Sequence, residues 1–280
     1  TLHVMNTSTA HGTAQYLELS FGQVGWVSTL ILLNLILSIA LRLKLERSLL
    51  IASLRMVTQL IMIGLALDWI FGQSEWYWVI GLATVMTSIA GFTAASRNER
   101  RYPGILLDSL ISIGLSSWIA TGFTLVIVQH GSSEWLTGQF IIPLLGMVLG
   151  NVLNGISVGL TTLTDSFATQ KESIESQLAL GATSYEAAKP MIQRALRSGM
   201  TPMINSMMVV GLVSLPGMMT GQLLSGVEPL EAVKYQIVIM FLIAAATAMG
   251  TGGIVLLGYR RLFNEHHQFI ASRLLSKKQD

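Results

Sequence analysis

Seven long apolar runs, separated by short polar connections, decide what solvent this 280-residue chain folds in. A hydrocarbon core about 30 Å thick is crossed by roughly 20 apolar residues in a helix. The runs at 24–41, 48–71, 76–95, 105–128, 139–163, 203–225 and 235–258 are long enough to do so. Composition agrees. Hydrophobic residues make up 51% of the chain and charged residues 11%, against about 25% charged in a soluble domain. So few charges could not clothe a soluble enzyme. The chain has no cysteine, which removes disulfides, thiolate metal sites and Cys nucleophiles. A net charge of +2 is too small for a nucleic-acid partner. The expected fold is all-α: a polytopic integral membrane protein with seven transmembrane helices in the lipid bilayer.

The basic residues orient it. Cytoplasmic connections are enriched in Lys and Arg. Numbering the connections alternately puts sixteen basic residues on one side and only Lys234 on the other. The rich side holds Arg42, Lys44 and Arg47; Arg97, Arg100 and Arg101; Lys171, Lys189, Arg194 and Arg197; the C-terminal Arg260, Arg261, Arg273, Lys277 and Lys278; and Arg55 just inside the second span. The N-terminus is therefore expected outside and the C-terminus in the cytoplasm. Residues 1–23 contain no Lys or Arg, as a cleavable signal would require. They read as a short polar external tail, with Met5 a candidate start. The transmembrane domain covers 24–258, and 259–280 form a cytoplasmic tail. Trp69, Trp76, Tyr77, Trp78 and Trp135 cluster at the outer connections as an aromatic belt.

One cytoplasmic segment, 164–202, is much longer than the rest. Residues 170–180 have helical propensity, Gly181 fits a helix-ending position, and Thr183 or Ser184 can cap a second helix with Glu186 in its first turn. Two short helices joined at a Gly turn are expected beneath the membrane, the second strained by Pro190. They form either a surface amphipathic hairpin or a docking element for a soluble subunit.

Polar residues inside the spans mark packing contacts or a pathway, because unpaired polar groups are costly in hydrocarbon. Arg55 lies roughly 10 Å into the second span, and Asp108, near the start of the fourth, is its expected ion-pair partner. Gln59 shares Arg55's helix face at i+4. Met147, Asn151 and Asn154 share a face of the fifth span, where the Asn side chains either glue helices or line a pathway. The sixth span carries Ser214, Pro216, Gly217, Met218 and Met219 near its middle. A Pro-Gly break at membrane depth is tolerated where protein or water satisfies the backbone, and transporters place substrate sites at such breaks. Met200, Met203, Met207, Met208, Met218 and Met219 cluster here. Thioethers bind soft metals, and Met is equally an apolar filler. Gly155-Ile156-Ser157-Val158-Gly159 matches the G-x-S-x-G nucleophile pattern. It lies within a span with no histidine at its depth, so its small residues are read as helix packing. The tail histidines His3 and His11 are read as solvated.

The segment Glu175-Ser176-Gln177, Leu178–Leu180, Gly181-Ala182-Thr183 resembles the EAA loop of ABC-transporter permeases. There an acidic residue precedes a glycine by six positions between two short helices, and an ATPase subunit grips the loop. The I-x-L-P of the bacterial-importer form is missing downstream. More widely, QLALGAT (177–183), VGLVSLPGMM (210–219) and AVKYQ (232–236) resemble the Fet-type permease family, over roughly residues 24–275. Its bacterial members are linked to iron export, and plant aluminium-tolerance permeases are similar. The resemblance implies a permease subunit of an ABC exporter in the bacterial inner membrane, moving iron or another metal ion. It also implies a permease homodimer with two ATPase subunits, which carry the ATP and Mg²⁺, and ATPase coupling through Glu175, Gln177, Gly181, Ala182 and Thr183. No cofactor is expected on this chain, which has no G-x-x-x-x-G-K-[ST] loop. The alternatives are an ABC permease for a non-metal cargo such as a nucleotide sugar, and a secondary transporter needing no ATPase.

Overall fold

The computed structural model describes residues 20–72, 75–128 and 138–276. Most of the expected external tail, residues 73–74, nearly all of the 129–138 connection with Trp135, and Lys277 and Lys278 lie outside the described residues. The chain divides into two compact units, one ending at Ser74 apart from a short return at 224–226, the other containing the rest.

The first unit holds α1 (Phe21–Ala40) and α2 (Glu46–Phe71). Ser20 and Gln23 form a capping box that starts α1 three residues before the expected span. The turn to α2 places Arg42 and Lys44 at positive φ (53° and 58°). Ser38 closes it, donating to Glu46 Oε1 at 2.9 Å and accepting from the Leu45 amide at 3.2 Å. Both helices carry large exposed apolar side chains, among them Leu33, Ile36, Leu54 and Leu65. That is a lipid-compatible surface and would be a liability in water.

The second unit contains α3 (Trp76–Arg97), α4 (Ile105–Val128), α5 (Gly138–Thr169), α6 (Lys171–Ala179), α7 (Ser184–Val209), α8 (Gly217–Leu224) and α9 (Pro229–Leu262). Two-residue strands β1 (Arg100–Arg101) and β2 (Leu275–Ser276) pair antiparallel. The central helix is α5. Leu144, Val148, Val152, Ile156, Leu160, Leu163 and Phe167 recur every three or four residues along it, all buried, a stripe that keeps facing its neighbours as the helix turns. Helices α7, α9, α3 and α4 pack around it.

Small residues bring these helices together. Van der Waals packing replaces the hydrophobic effect as the force between helices in lipid, so close approach matters. Gly155 and Gly159 of the G-x-S-x-G stretch face α7 and α9. A Cβ on Gly159 would lie 2.9 Å from Thr251 Cγ2, and one on Gly155 2.6 Å from Thr247 Cγ2. On the other flank Ser116 and Ser112 of α4 pack against Gly250 and Gly253 of α9. The stretch is therefore a packing surface, as its residue types indicate.

Three expectations change. Among the described residues six helices, α1 to α5 and α9, are long and apolar enough to cross a membrane, and the sixth expected span, 203–225, is not one helix. Its first third is the end of α7, its middle is irregular backbone at 210–216, and its last part is α8. The second of the two expected short helices is not short. It runs from Ser184 through Pro190 and Pro202 to Val209 without interruption. Finally, α5 and α9 outrun their spans: α9 begins at Pro229, where Pro suits a first helical turn, rather than at 235.

Candidate functional site

The break between α7 and α8 organises the site. Gly211 takes φ +83°, a left-handed conformation that a side chain would oppose. The chain then turns back on itself. The Val209 carbonyl accepts from the amides of Leu212, Val213 and Ser214 at 3.3, 2.9 and 3.4 Å, and the Gly211 amide donates to the Ser214 carbonyl at 2.9 Å. Pro216 does not kink a helix interior. It stands immediately before α8, and its carbonyl accepts from the amide and hydroxyl of Thr220.

Beside the break lies a cavity of about 280 Å³. Helix α5 contributes Met147 and Asn151, α7 contributes Met203 and Ser206, the break contributes Val210, Ser214 and Pro216, and α9 contributes Gln236 and Met240. The Asn151 amide nitrogen donates to the Met147 carbonyl at 2.9 Å, so its oxygen is the atom left for a ligand. Gln236 is 7% exposed, and its Oε1 has no hydrogen-bond partner among the described residues. A buried, unsatisfied amide oxygen is costly and fits a site that is completed by a ligand. A second, apolar cavity of about 440 Å³, with Met207, Leu215, Met219 and Phe241, shares Val210, Gln236 and Met240 with the first.

Of the expected pathway residues, Met147, Asn151, Ser214 and Pro216 meet in the first cavity, and Met219 lines the second. Gly217 opens α8, and Met218 packs partly buried against the core. Asn154 is exposed and accepts from Arg97 Nη1 at 3.1 Å, so it parts company with Asn151. Gln59 and Arg55 are exposed on α2. Sequence reasoning missed Gln236, Ser206 and Met240 as wall residues and named Met203 only within the methionine cluster. Gln236 was visible as a lone carboxamide heading an apolar run. Starting the helix at 235 made it look interfacial, whereas the start at Pro229 sinks it roughly 10 Å along the helix axis.

The partner expected for Asp108 is corrected. Asp108, 1% exposed, is held through both oxygens by Arg261 of α9, at 3.1 Å to Nη2 and 3.3 Å to Nε, and not by Arg55. Asp108 lies in the first turn of α4 and Arg261 in the last turn of α9, so the two ends meet. Gly104, at φ +93°, lets the guanidinium lie against the backbone: a Cβ there would be 3.1 Å from its Cζ. Tyr102 is buried beside the pair, and burial followed by the charge of Asp108 pushes its hydroxyl well above the ordinary tyrosine range. The Arg261 carbonyl in turn accepts from Arg273 at 2.7 Å, tying down the C-terminal segment.

At this same end α6 and α7 form a defined hairpin. The Ala182 amide donates to the Gln177 carbonyl and the Gly181 amide to the Leu178 carbonyl, both at 3.0 Å, with Gly181 at φ +92°. This is a Schellman termination of α6. Thr183 then caps α7 in a reciprocal box with Glu186, and the Thr183 amide chiefly holds the Glu186 carboxyl below its usual range. Glu175 pairs with Lys171 at 3.6 Å, and Leu180 and Tyr185 stand exposed at the tip. The Ser184 hydroxyl bonds Tyr259 Oη at 2.8 Å and His267 Nδ1 at 2.9 Å, fastening the hairpin to α9 and the C-terminal segment.

Among the described residues, six long apolar helices and a broken one with an uncharged pocket at the break define an all-α polytopic membrane protein. Among the described residues no group of three or more His, Asp or Glu could hold a metal ion. The chain belongs to an uncharacterised protein family, UPF0014, whose pattern it matches over residues 21–263. It is 36% identical over 254 residues to the UPF0014 membrane protein slr1647 of Synechocystis, covering 91% of this chain and 98% of the relative. It is 31% identical to the probable iron export permease protein FetB of Escherichia coli, covering 89% and 94%. To the protein ALUMINUM SENSITIVE 3 of Arabidopsis thaliana it is 33% identical, covering 85% of each. No solved structure matches the chain.

Proposed function

We propose that this chain is the permease subunit of an ABC exporter that moves a metal ion, with cargo held at the α7–α8 break and movement supplied by a separate ATPase. Similarity to the probable iron export permease protein FetB of Escherichia coli supports the permease and metal-export parts of this reading. The observation that carries it is α7 itself. One uninterrupted helix of 26 residues joins the Gly181–Thr183 hairpin at one end to the cavity at the other, a rod of roughly 39 Å. A partner that grips Glu175, Gln177, Gly181, Ala182 and Thr183 therefore moves Met203 and Ser206 in the pocket wall. The pocket is built by α5, α7, α9 and the break alone, which fits a two-fold pair of permeases enclosing one pathway. The chain sits in the bacterial inner membrane with its basic end in the cytoplasm.

The decisive experiment is co-purification with a candidate ABC ATPase subunit, followed by cargo-stimulated hydrolysis in the reconstituted complex. Asn151→Leu abolishes cargo stimulation and leaves the detergent melting temperature unchanged. Were Asn151 only interhelical glue, the variant would lose about 0.6 kcal/mol of stability and keep its stimulation.

Two further outcomes test coupling and orientation. Gly181→Leu places a branched side chain at positive φ, costing about 1–2 kcal/mol locally. A Cβ there meets nothing within 4 Å among the described residues, so the protein still inserts and folds. Cargo-stimulated ATPase activity falls at least tenfold, and full retention would remove the hairpin from the coupling role. Reporter fusions after residues 74, 133 and 230 read external, and those after 99, 185 and 275 cytoplasmic. A cytoplasmic reading at 133 breaks the seven-span topology.

A further inference from the structure

We infer that the pocket at the helix break selects a soft monovalent cation, Cu(I) or Ag(I) in its chemistry, rather than a hard di- or trivalent one. The inference rests on the reading of this pocket as the cargo site. Three thioethers, Met147 of α5, Met203 of α7 and Met240 of α9, line one cavity of about 280 Å³. Each comes from a different helix, so the convergence is not a local repeat. The neutral oxygens beside them are the Asn151 and Gln236 carboxamides and the Ser206 and Ser214 hydroxyls.

The donor set discriminates by charge and by softness. The lining contains no carboxylate, imidazole or other titratable side chain. The electrostatic cost of moving an ion from water into a low-dielectric site is offset there only by dipoles. That cost grows with the square of the ionic charge, so a divalent ion pays about four times what a monovalent one does, with no counter-charge to offset it. Hard cations also require oxygen ligands of high charge density, whereas thioethers suit Cu(I). The unpartnered, buried Oε1 of Gln236 supplies one oxygen that gains a partner when a cation enters. Met203 belongs to the buried apolar core and Met147 and Met240 pack against it, so all three also fill space; what sets them apart is that they line one cavity together with neutral oxygens. Met249, on the same helix but 45% exposed, lies outside the cavity and serves as the control.

The test is anaerobic titration of the purified full chain in nanodiscs with Ag(I), with Cu(I) competed against a chromogenic chelator, and with Fe(II) and Mn(II). The expected result is Ag(I) and Cu(I) binding at least a hundredfold tighter than Fe(II) or Mn(II). Met203→Leu and Met240→Leu, which keep side-chain volume, each weaken Ag(I) binding at least tenfold, and Met249→Leu leaves it unchanged. Equal or tighter Fe(II) binding overturns the inference, as does Ag(I) binding indifferent to Met203→Leu and Met240→Leu. Cargo-stimulated ATPase activity separates this failure from that of the underlying reading. If Asn151→Leu and Gln236→Leu abolish stimulation while Ag(I) does not bind, the pocket remains the cargo site for another cargo. If neither variant alters stimulation, the cargo site itself is elsewhere.

Discussion

Gly199→Ala lowers the detergent melting temperature of the protein by roughly 2–10 °C, the effect of about 1–3 kcal/mol of overpacking. Gly199 of α7 sits where α5, α7 and α9 come closest. An added Cβ would lie 2.5 Å from Thr251 Cγ2, 2.7 Å from the Gly155 carbonyl oxygen and 3.3 Å from Gly159 Cα. Two of these three neighbours are backbone, so no rotamer change relieves the clash and the helices must separate. Thr251→Ser removes the one side-chain contact and restores part of the loss in the double variant. Thermal melts of the single and double variants check this, and a wild-type melt for Gly199→Ala would mean that the three helices do not meet so closely.

Arg261→Met destabilises the protein by about 3 kcal/mol, the lower end of what breaking a buried pair costs. The asymmetry of the pair sets the size. Asp108 is 1% exposed and Arg261 44%. Removing the arginine strands a buried carboxylate, whereas removing the carboxylate leaves a guanidinium that can turn to water. Asp108→Asn is therefore the milder change, and Asp108→Asn/Arg261→Met recovers most of the stability of Arg261→Met alone. Arg261→Met alone also loosens residues 263–276, read as faster proteolysis there, because Arg273 holds the C-terminal segment to the same turn. Chemical denaturation of the four proteins measures the coupling directly.

The membrane class, the positions of the apolar helices and the α6–α7 hairpin were legible because each rests on local chemistry. Apolar length marks a helix, a Gly at positive φ ends one, and Thr with Glu three residues later begins another. The Asp108 partner was not legible. Arg55 was chosen for its depth in the membrane, and depth along a helix says nothing about which helix lies alongside. Asn154 was grouped with Asn151 by helical spacing, and the competing attraction of Arg97 is a tertiary fact. The α7–α8 break was signalled by Pro216 and Gly217, yet its turn is made at Gly211, five residues earlier. Proline announces where a helix cannot continue, and the backbone settles where it has already stopped.

The length of α9 limits how the protein can move. Lys234 near its start and Arg260 near its end are 26 residues apart on one continuous helix, roughly 39 Å. That distance exceeds the hydrocarbon thickness by only about 9 Å, and a charge at the middle of a membrane helix costs about 2.5–3.5 kcal/mol. Sliding α9 along its axis by two turns would pull one of these charges into lipid. The helix can tilt but cannot act as a piston. Under the transport reading proposed above, α9 is the fixed post, and the movement that opens the pocket falls to α7 and the break.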